Sequence, residues 1–512
     1  MLTALYKARL ELLGLSENKH LLCSIRHGIE REGLRVSKKA ELSLKSHPEV
    51  FGKALTHPYI TTDFSEALLE YITPVCCGLD DLLAFLEDLH RFTVQNLGEE
   101  LLWVGSMPCV LNKERQIPIA EYGKSNIGRM KTVYRKGLSH RYGAAMQTIA
   151  GLHYNFSLPT EFWALTGRET SQGYLDLIRN FRRYEWFLMY LFGASPVVSK
   201  SFFGDGAGGS GLEVFSTDTL YLPYATSLRM SDVGYINNTQ SSLNICYNTL
   251  GEYVSSLWKA IRTPYGPYLK TGVKVDGEYL QLNANLLQIE NEYYGTIRPK
   301  RNAGLGERPI TTLSRGGVEY IEVRCLDMNP FEGMGISRSD VHFLDVFLVY
   351  CALEKSNFMM EKEARSVTSN FRKSVLEGRF PGLLLDRMGD SVLLSTWGRE
   401  LLEVMEPIAA LMNSAAGSSC YLDSLGVQKE KLVNVSKTPS AQLVTEMKKR
   451  NVSYTELMIY LSEKHHNRFK VNPLSTERYG YFLQVAEQSK RDQIAIEKAD
   501  TLEFDDFLQS IL

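Results

Sequence analysis

Five carboxylates and one histidine fall in patterns that could gather a hard metal ion. Glu30 and Glu32 lie two apart within residues 25–36, with glycines at positions 28 and 33. In an extended strand, residues two apart project from one face, so both carboxylates would point together. The glycines leave room for close approach to the backbone. A solvated strand face accounts for the pair equally well. Asp63, Glu66 and Glu70 form a second group. At 100° per residue they occupy one narrow arc, while Phe64, Leu68, Tyr71 and Ile72 point elsewhere. Asp63 with Glu66 also reads as a helix N-cap and capping box, which makes Glu66 structural and leaves Asp63 and Glu70 open. In the third group, Glu322 and Arg324 share a face with Tyr320 if 318–325 is a strand. Such neighbours form either an ion pair worth ~0–1 kcal/mol when exposed, or a metal ligand beside a phosphate clamp, as phosphoryl transfer needs.

His153 shares a polar-leaning row with Gln147, Ile149, Gly151 and Asn155 if 146–158 is extended. No H-E-x-x-H or Cys/His zinc spacing accompanies it. Carboxylate-dominated sites suit Mg²⁺, which prefers oxygen and is usually shared with substrate phosphates. The chain carries no Walker A loop, kinase glycine loop or G-x-S-x-G elbow. If ATP is used, metals and arginines on a sheet must hold its phosphates.

The elements that would carry these residues are mixed. Helical periodicity is found at 2–13, 79–97, 174–192, 250–261, 339–353, 397–414, 440–450, 454–465 and 479–496. Strand patterns are found at 26–36, 71–74, 146–158, 273–275, 279–282, 286–291 and 318–325. Strands concentrate before residue 330 and helices after it, which predicts an α+β catalytic body over 1–370 with a helical carboxy-terminal region, 371–512, packed on it as one unit. The end, 490–512, is charge-rich and reads as peripheral. The Gly-rich stretch 204–211 contains G-x-G-x-x-G but precedes no helix pattern, so it reads as a surface loop.

Composition narrows the class. The 512 residues are 44% hydrophobic and 23% charged, with net charge −2, which argues against a general nucleic-acid or anionic-membrane surface. The longest apolar run, 186–198, is interrupted by Gly193 and Pro196 and is shorter than the ~20 residues of a membrane helix. None of the eight cysteines forms a C-x-x-C pair, and Cys23 and Cys351 follow apolar neighbours, as buried, reduced thiols of a cytoplasmic protein would.

Seven segments in order carry a resemblance: GIERE (28–32), TTDFSEALLE (61–70), RYG (141–143) running into GLHYNFS (151–157), YLPYATSLR (221–229), LQIENE (287–292), IRPKR (297–301) and YIEVR (320–324). Together they resemble the glutamate–cysteine ligase family of the proteobacterial type. The resemblance spans nearly the whole chain and weakens in 204–211 and after 370. It implies a glutamine-synthetase-like curved, mostly antiparallel sheet forming a funnel. Glu30, Glu32, Asp63, Glu70, His153 and Glu322 would then match Mg²⁺ ligands, with Arg135 and Arg324 facing the transferred phosphate. Arg229 and Gln147 would line the amino-acid pocket, and Tyr134, Tyr235 and Tyr294 the cysteine. Lys300 and Arg301 would contact the nucleotide, although an exposed basic loop is an equally good reading. The implied reaction uses ATP, L-glutamate and L-cysteine, in a cytoplasmic monomer open to feedback inhibition by glutathione. The rivals are a ligase of the same fold with another amine acceptor, and a ligand sensor on the same scaffold.

Overall fold

The computed structural model describes residues 3–112, 116–204, 209, 211–234, 240, 243–304 and 306–511. At its centre is a sheet of seven strands: β1 (Arg26–Val36), β2 (Ile60–Thr62), β3 (Leu68–Ile72), β4 (Leu101–Leu102), β5 (Leu152–Ser157), β6 (Ile297–Lys300) and β7 (Tyr320–Leu326). Their order is β6-β7-β5-β1-β3-β2, and β4 pairs with the end of β1. Every pairing is antiparallel, so the chain is α+β with an antiparallel sheet, as expected.

Alternation along the strands separates two faces. The back face carries Ile29, Tyr71, Tyr154, Phe156, Ile321 and Val323, all fully buried. Burial of each such side chain contributes about 1.5–3 kcal/mol. The helix Leu79–Asn96 lies against β1 and β3, and the helix Thr170–Phe192 against β6 and β7. Two polar groups on this face are paired: His27 Nε2 lies 3.1 Å from Asp345, and the Tyr154 hydroxyl donates to Asp345 at 2.7 Å. The front face is left for the polar residues.

The region after 330 is mostly helical, from Arg338–Leu353 to Phe504–Ile511. One hairpin interrupts it, Leu384–Arg387 with Asp390–Leu393. Its two-residue turn, Met388 (φ 57°) and Gly389 (φ 103°), is left-handed at both positions, the geometry that matches the strand twist. The apolar core is continuous from Tyr6 to Phe482. Among the described residues no helix is long and apolar enough to cross a membrane.

Several expectations change. Residues 61–70 form no helical arc: they are the hairpin of β2 and β3, with Asp63 in its turn. The 286–291 strand is instead a 3₁₀ turn, Glu290–Glu292, and 146–148 is another, so the polar row begins only at β5. Most of the Gly-rich stretch (205–208 and 210) lies outside the described residues, as does Tyr235. Cys351 is buried but Cys23 is exposed, because Leu21 and Leu22 take the inward face of its short helix. The 490–512 segment is not peripheral. Helix Thr476–Ala499 runs into it, and Phe504 and Leu508 are buried against the helix Asn126–Tyr142.

Candidate active site

Strand register assembles an acidic row on the front face. Glu32 is directly opposite Glu70 across β1 and β3. Glu30 is opposite His153 across β1 and β5. Asn155 is opposite Glu322 across β5 and β7, and Glu322 is opposite Arg298 across β7 and β6. Directly opposed residues share a face about 4.5–5.5 Å apart, and like charges so placed are destabilising. A row holding Glu32 against Glu70 therefore costs stability unless something else resides there.

Distances confirm the gathering. Glu30 accepts from His153 Nδ1 at 3.1 Å and from Asn155 Nδ2 at 3.0 Å. Glu322 lies 3.7 Å from the same His153 nitrogen, and Glu32 lies 3.8 Å from His153 Nε2. One ligand atom each from Glu30, His153 and Glu322 fall within 4.8 Å of one another. Glu32 also accepts the Gly151 N–H at 2.6 Å. Four buried atoms of the row form no hydrogen bond: Glu322 Oε2, His153 Nε2, Asn155 Oδ1 and Arg298 Nε.

Charge in the row is unevenly held. Burial, then Asp63, raises Glu32 to about 8. Burial also raises Glu70 well above the usual carboxylate range, with Asp63, Glu30 and Glu32 adding to it. For Glu30, burial and Glu322 push upward, but the His153 bond and Lys300 outweigh them and its pKa is lowered. Burial opposes ionisation of Glu322 too, yet Arg324, Lys300, His153 and Arg298 together hold it well below the ordinary value. His153 is lowered, first by burial and then by Arg324.

The cations surround this row. Arg324 Nη1 lies 3.0 Å from Glu322 Oε1. Lys300 is on β6, in a strand rather than a basic loop, and its Nζ is 3.6 Å from Glu322. The Arg301 guanidinium donates to the carbonyls of Gly316 and Gly317 at the end of the helix Pro309–Gly316. Arg135 Nε donates to the Asp63 carbonyl, while its guanidinium lies 4.5 Å from the Tyr122 ring centroid. That contact ties helix Asn126–Tyr142 to the β2–β3 turn. Glu66 is structural, though not through a capping box: it accepts from the backbone N–H of His47 and Glu121 at 2.5 and 2.7 Å.

Beside the row, Gln147 Nε2 donates to the Tyr294 hydroxyl at 3.0 Å, and Tyr294 packs edge-on against Tyr142. Arg229 is buried, donates to the Arg324 carbonyl at 2.9 Å and lies 3.7 Å from Asp327. Tyr134 sits one residue before Arg135, half-buried. Sequence reasoning missed Arg298, whose alternation with Lys300 on β6 was the available signal. It also missed the buried Arg141–Glu292 pair (2.8 Å) to which the Tyr142 hydroxyl donates (2.7 Å). A cavity of about 660 Å³ beside Phe215, Tyr221 and Met447 shares no residue with the row.

The chain is similar over most of its length to known proteins. The family model described as Glutamate-cysteine ligase matches residues 10–374. The glutamate–cysteine ligase of Azotobacter vinelandii is 50% identical, over 99% of this chain and 98% of that protein. The one from Pseudomonas fluorescens is 49% identical, over 99% and 97%. Among solved structures, glutamate–cysteine ligase from Francisella tularensis in complex with AMP superposes with a TM-score of 0.90 at 35% identity, covering 95% of this chain and 97% of that one. A bifunctional glutathione synthetase from Pasteurella multocida, 23% identical with a TM-score of 0.70 over 98% of this chain and 60% of that one, shares the fold.

Proposed function

The chain belongs to the glutamate–cysteine ligase family, and we propose that it joins the side-chain carboxylate of L-glutamate to the amine of L-cysteine using ATP, the first step of glutathione synthesis. The observation that carries this reading is the register-built row: Glu32 against Glu70, Glu30 against His153, and Glu322 flanked by Arg324 and Lys300. Glu30, Glu32, Asp63, Glu70, His153 and Glu322 would hold Mg²⁺. The fit is supported by an oxygen-dominated donor set, by the buried Glu322 Oε2 and His153 Nε2, which accept or donate no hydrogen bond, and by opposed carboxylates that a cation would reconcile. Bound Mg²⁺ would neutralise charge on the phosphate oxygens.

Arg324 and Arg135 flank the row and face the transferred phosphoryl group. A glutamate carboxylate oxygen bonds to the terminal phosphorus as the bond to ADP breaks. The cysteine nitrogen then attacks the acyl carbon, the amine loses a proton and phosphate leaves. Gln147 and Arg229 orient glutamate, and Tyr134 and Tyr294 wall the cysteine. Lys300 and Arg301 serve the nucleotide side, Arg301 while its guanidinium also donates to the Gly316 and Gly317 carbonyls. Keeping water from the acyl phosphate is part of what such a pocket supplies. The AMP held by the Francisella structure supports a nucleotide site on this fold. Residues 1–370 and 371–512 act as one unit on this reading, in a cytoplasmic monomer subject to feedback inhibition by glutathione.

The test supplies ATP, Mg²⁺ and L-glutamate with one amine at a time. Each methylene-sized apolar group buried in the acceptor pocket contributes ~0.8 kcal/mol, so cysteine and 2-aminobutyrate should lead alanine, and glycine should trail. Serine should also trail, because its hydroxyl is costly to desolvate. Preferred use of ammonia would make the protein a glutamine-forming enzyme, and no turnover with any amine would remove the catalytic reading.

A further inference from the structure

The family model ends at residue 374, yet the last described helix, Phe504–Ile511, is seated on the helix that carries Tyr134 and Arg135. Phe504 and Leu508 are 3% and 5% exposed and form one apolar cluster with Val133 and Leu282, against which Tyr134 packs. The segment is fastened before, within and after that cluster in sequence. Before it, Asp500 accepts the Asn126 N–H at the start of the Tyr134 helix, and Asn126 Nδ2 donates to the Leu502 carbonyl at 2.8 Å. Within it, Asp505 accepts from Lys274 Nζ at 2.9 Å and from the Tyr279 hydroxyl at 2.8 Å. Arg308, which pairs with Glu290 at 2.8 Å, donates to the Ile511 carbonyl at 3.4 Å. The segment thus bridges the Tyr134 helix to residues on either side of the 282–294 stretch that leads to Tyr294.

Tyr134 and Arg135 are not equally dependent on this bridge. Arg135 is held independently by the Asp63 carbonyl and the Tyr122 ring. The Tyr134 ring packs against the carboxy-terminal cluster on one side and the main core on the other. We propose that residues 500–511 form a positioning strap that holds Tyr134 in place, so that affinity for the amine acceptor depends on a segment outside the family model. The proposal rests on the reading of Tyr134 as a wall of the cysteine site.

The experiment uses the full-length chain carrying Phe504→Ala and Leu508→Ala, with Leu508→Ala alone deciding the matter if the double variant lacks a cooperative melt. Parent and variant are assayed for ATP turnover while cysteine, glutamate and ATP are varied in turn. The strap predicts that KM for cysteine rises about tenfold, with kcat and the KM for ATP changed less than about threefold, the pattern of lost binding rather than lost chemistry. Amide exchange across 126–142 should quicken in the same variant. A cysteine KM within about twofold of the parent in a folded variant overturns the proposal. Equal losses in all three substrates' KM and in kcat overturn it too, because they mark a general structural role. A parent that turns over ATP without any response to cysteine instead overturns the acceptor reading beneath it, and the proposal with it.

Discussion

Glu322 is 1% exposed, yet Arg324, Lys300, His153 and Arg298 all bias it toward its charged form. A buried anion kept ionised by four neighbours, with one oxygen lacking a hydrogen-bond partner, is suited to ligate a cation rather than to shuttle protons. Glu322→Gln and Glu30→Gln remove that charge without changing side-chain volume. Each should lower Mg²⁺-dependent ATP turnover by more than about 100-fold, since loss of even an outer partner of a metal ligand costs 10–100-fold. Circular dichroism and melting curves should show the fold retained. Near-normal activity across a Mg²⁺ titration would remove these residues from the metal set. Arg324→Lys tests the neighbouring assignment, because it keeps the charge and loses the planar fork that fits phosphate oxygens. We expect kcat to fall roughly 100–1000-fold with little change in Tm. Parallel losses of Tm and kcat would make Arg324 a structural partner of Glu322.

The element that most needed the structure is the helix Asn126–Tyr142. Its sequence, with Gly128, Gly137 and five Lys or Arg residues, shows little helical periodicity, because its inward face meets polar groups as well as core. Strand β1, by contrast, was legible to both boundaries, since alternation is a local signal. The Glu32–Glu70 and Glu30–His153 pairings were not, because register belongs to two strands at once. The 61–70 segment shows the same limit: its carboxylates satisfy a helical arc, and only pairing with β1 makes it a hairpin. Gly137 ties the helix to the site. A Cβ there would stand 2.1 Å from Gln288 Oε1, and that buried amide accepts the Leu282 N–H and donates to the Tyr134 carbonyl. Gly137→Ala should therefore cost about 1–3 kcal/mol by overpacking, read as a lower midpoint in urea. An unchanged midpoint would mean that Gln288 yields freely.

At the scale of the molecule, burial disfavours the charged form of His47, His57 and His90. Burial lowers His57 to about 4, and lowers His47 and His90 to about 3, with Arg35 and Arg31 respectively adding to the effect. Their folded pKa lies below the ordinary value near 6.5, so their contribution to stability is complete above about 6.5 and is lost as pH falls toward 3. Each can remove up to about 1.4 kcal/mol per pH unit in that window. His90 Nδ1 donates to the Leu86 carbonyl at 2.7 Å, and His90→Asn retains a donor that cannot charge. Its melting temperature should fall less steeply between pH 6.5 and 4 than the parent's; an identical slope would show that His90 does not contribute to the acid limb.

The acidic row, the arginines beside it and the tyrosines beyond it all serve one claim: that glutamate's side-chain carboxylate is phosphorylated before cysteine's nitrogen attacks it. Glutamate labelled with ¹⁸O in both side-chain carboxylate oxygens tests this directly, in a reaction with ATP, Mg²⁺ and cysteine analysed by mass spectrometry. Activation through an acyl phosphate transfers one labelled oxygen to each inorganic phosphate released and leaves the other in the new amide. Phosphate free of label, released in step with dipeptide formation, would contradict the account.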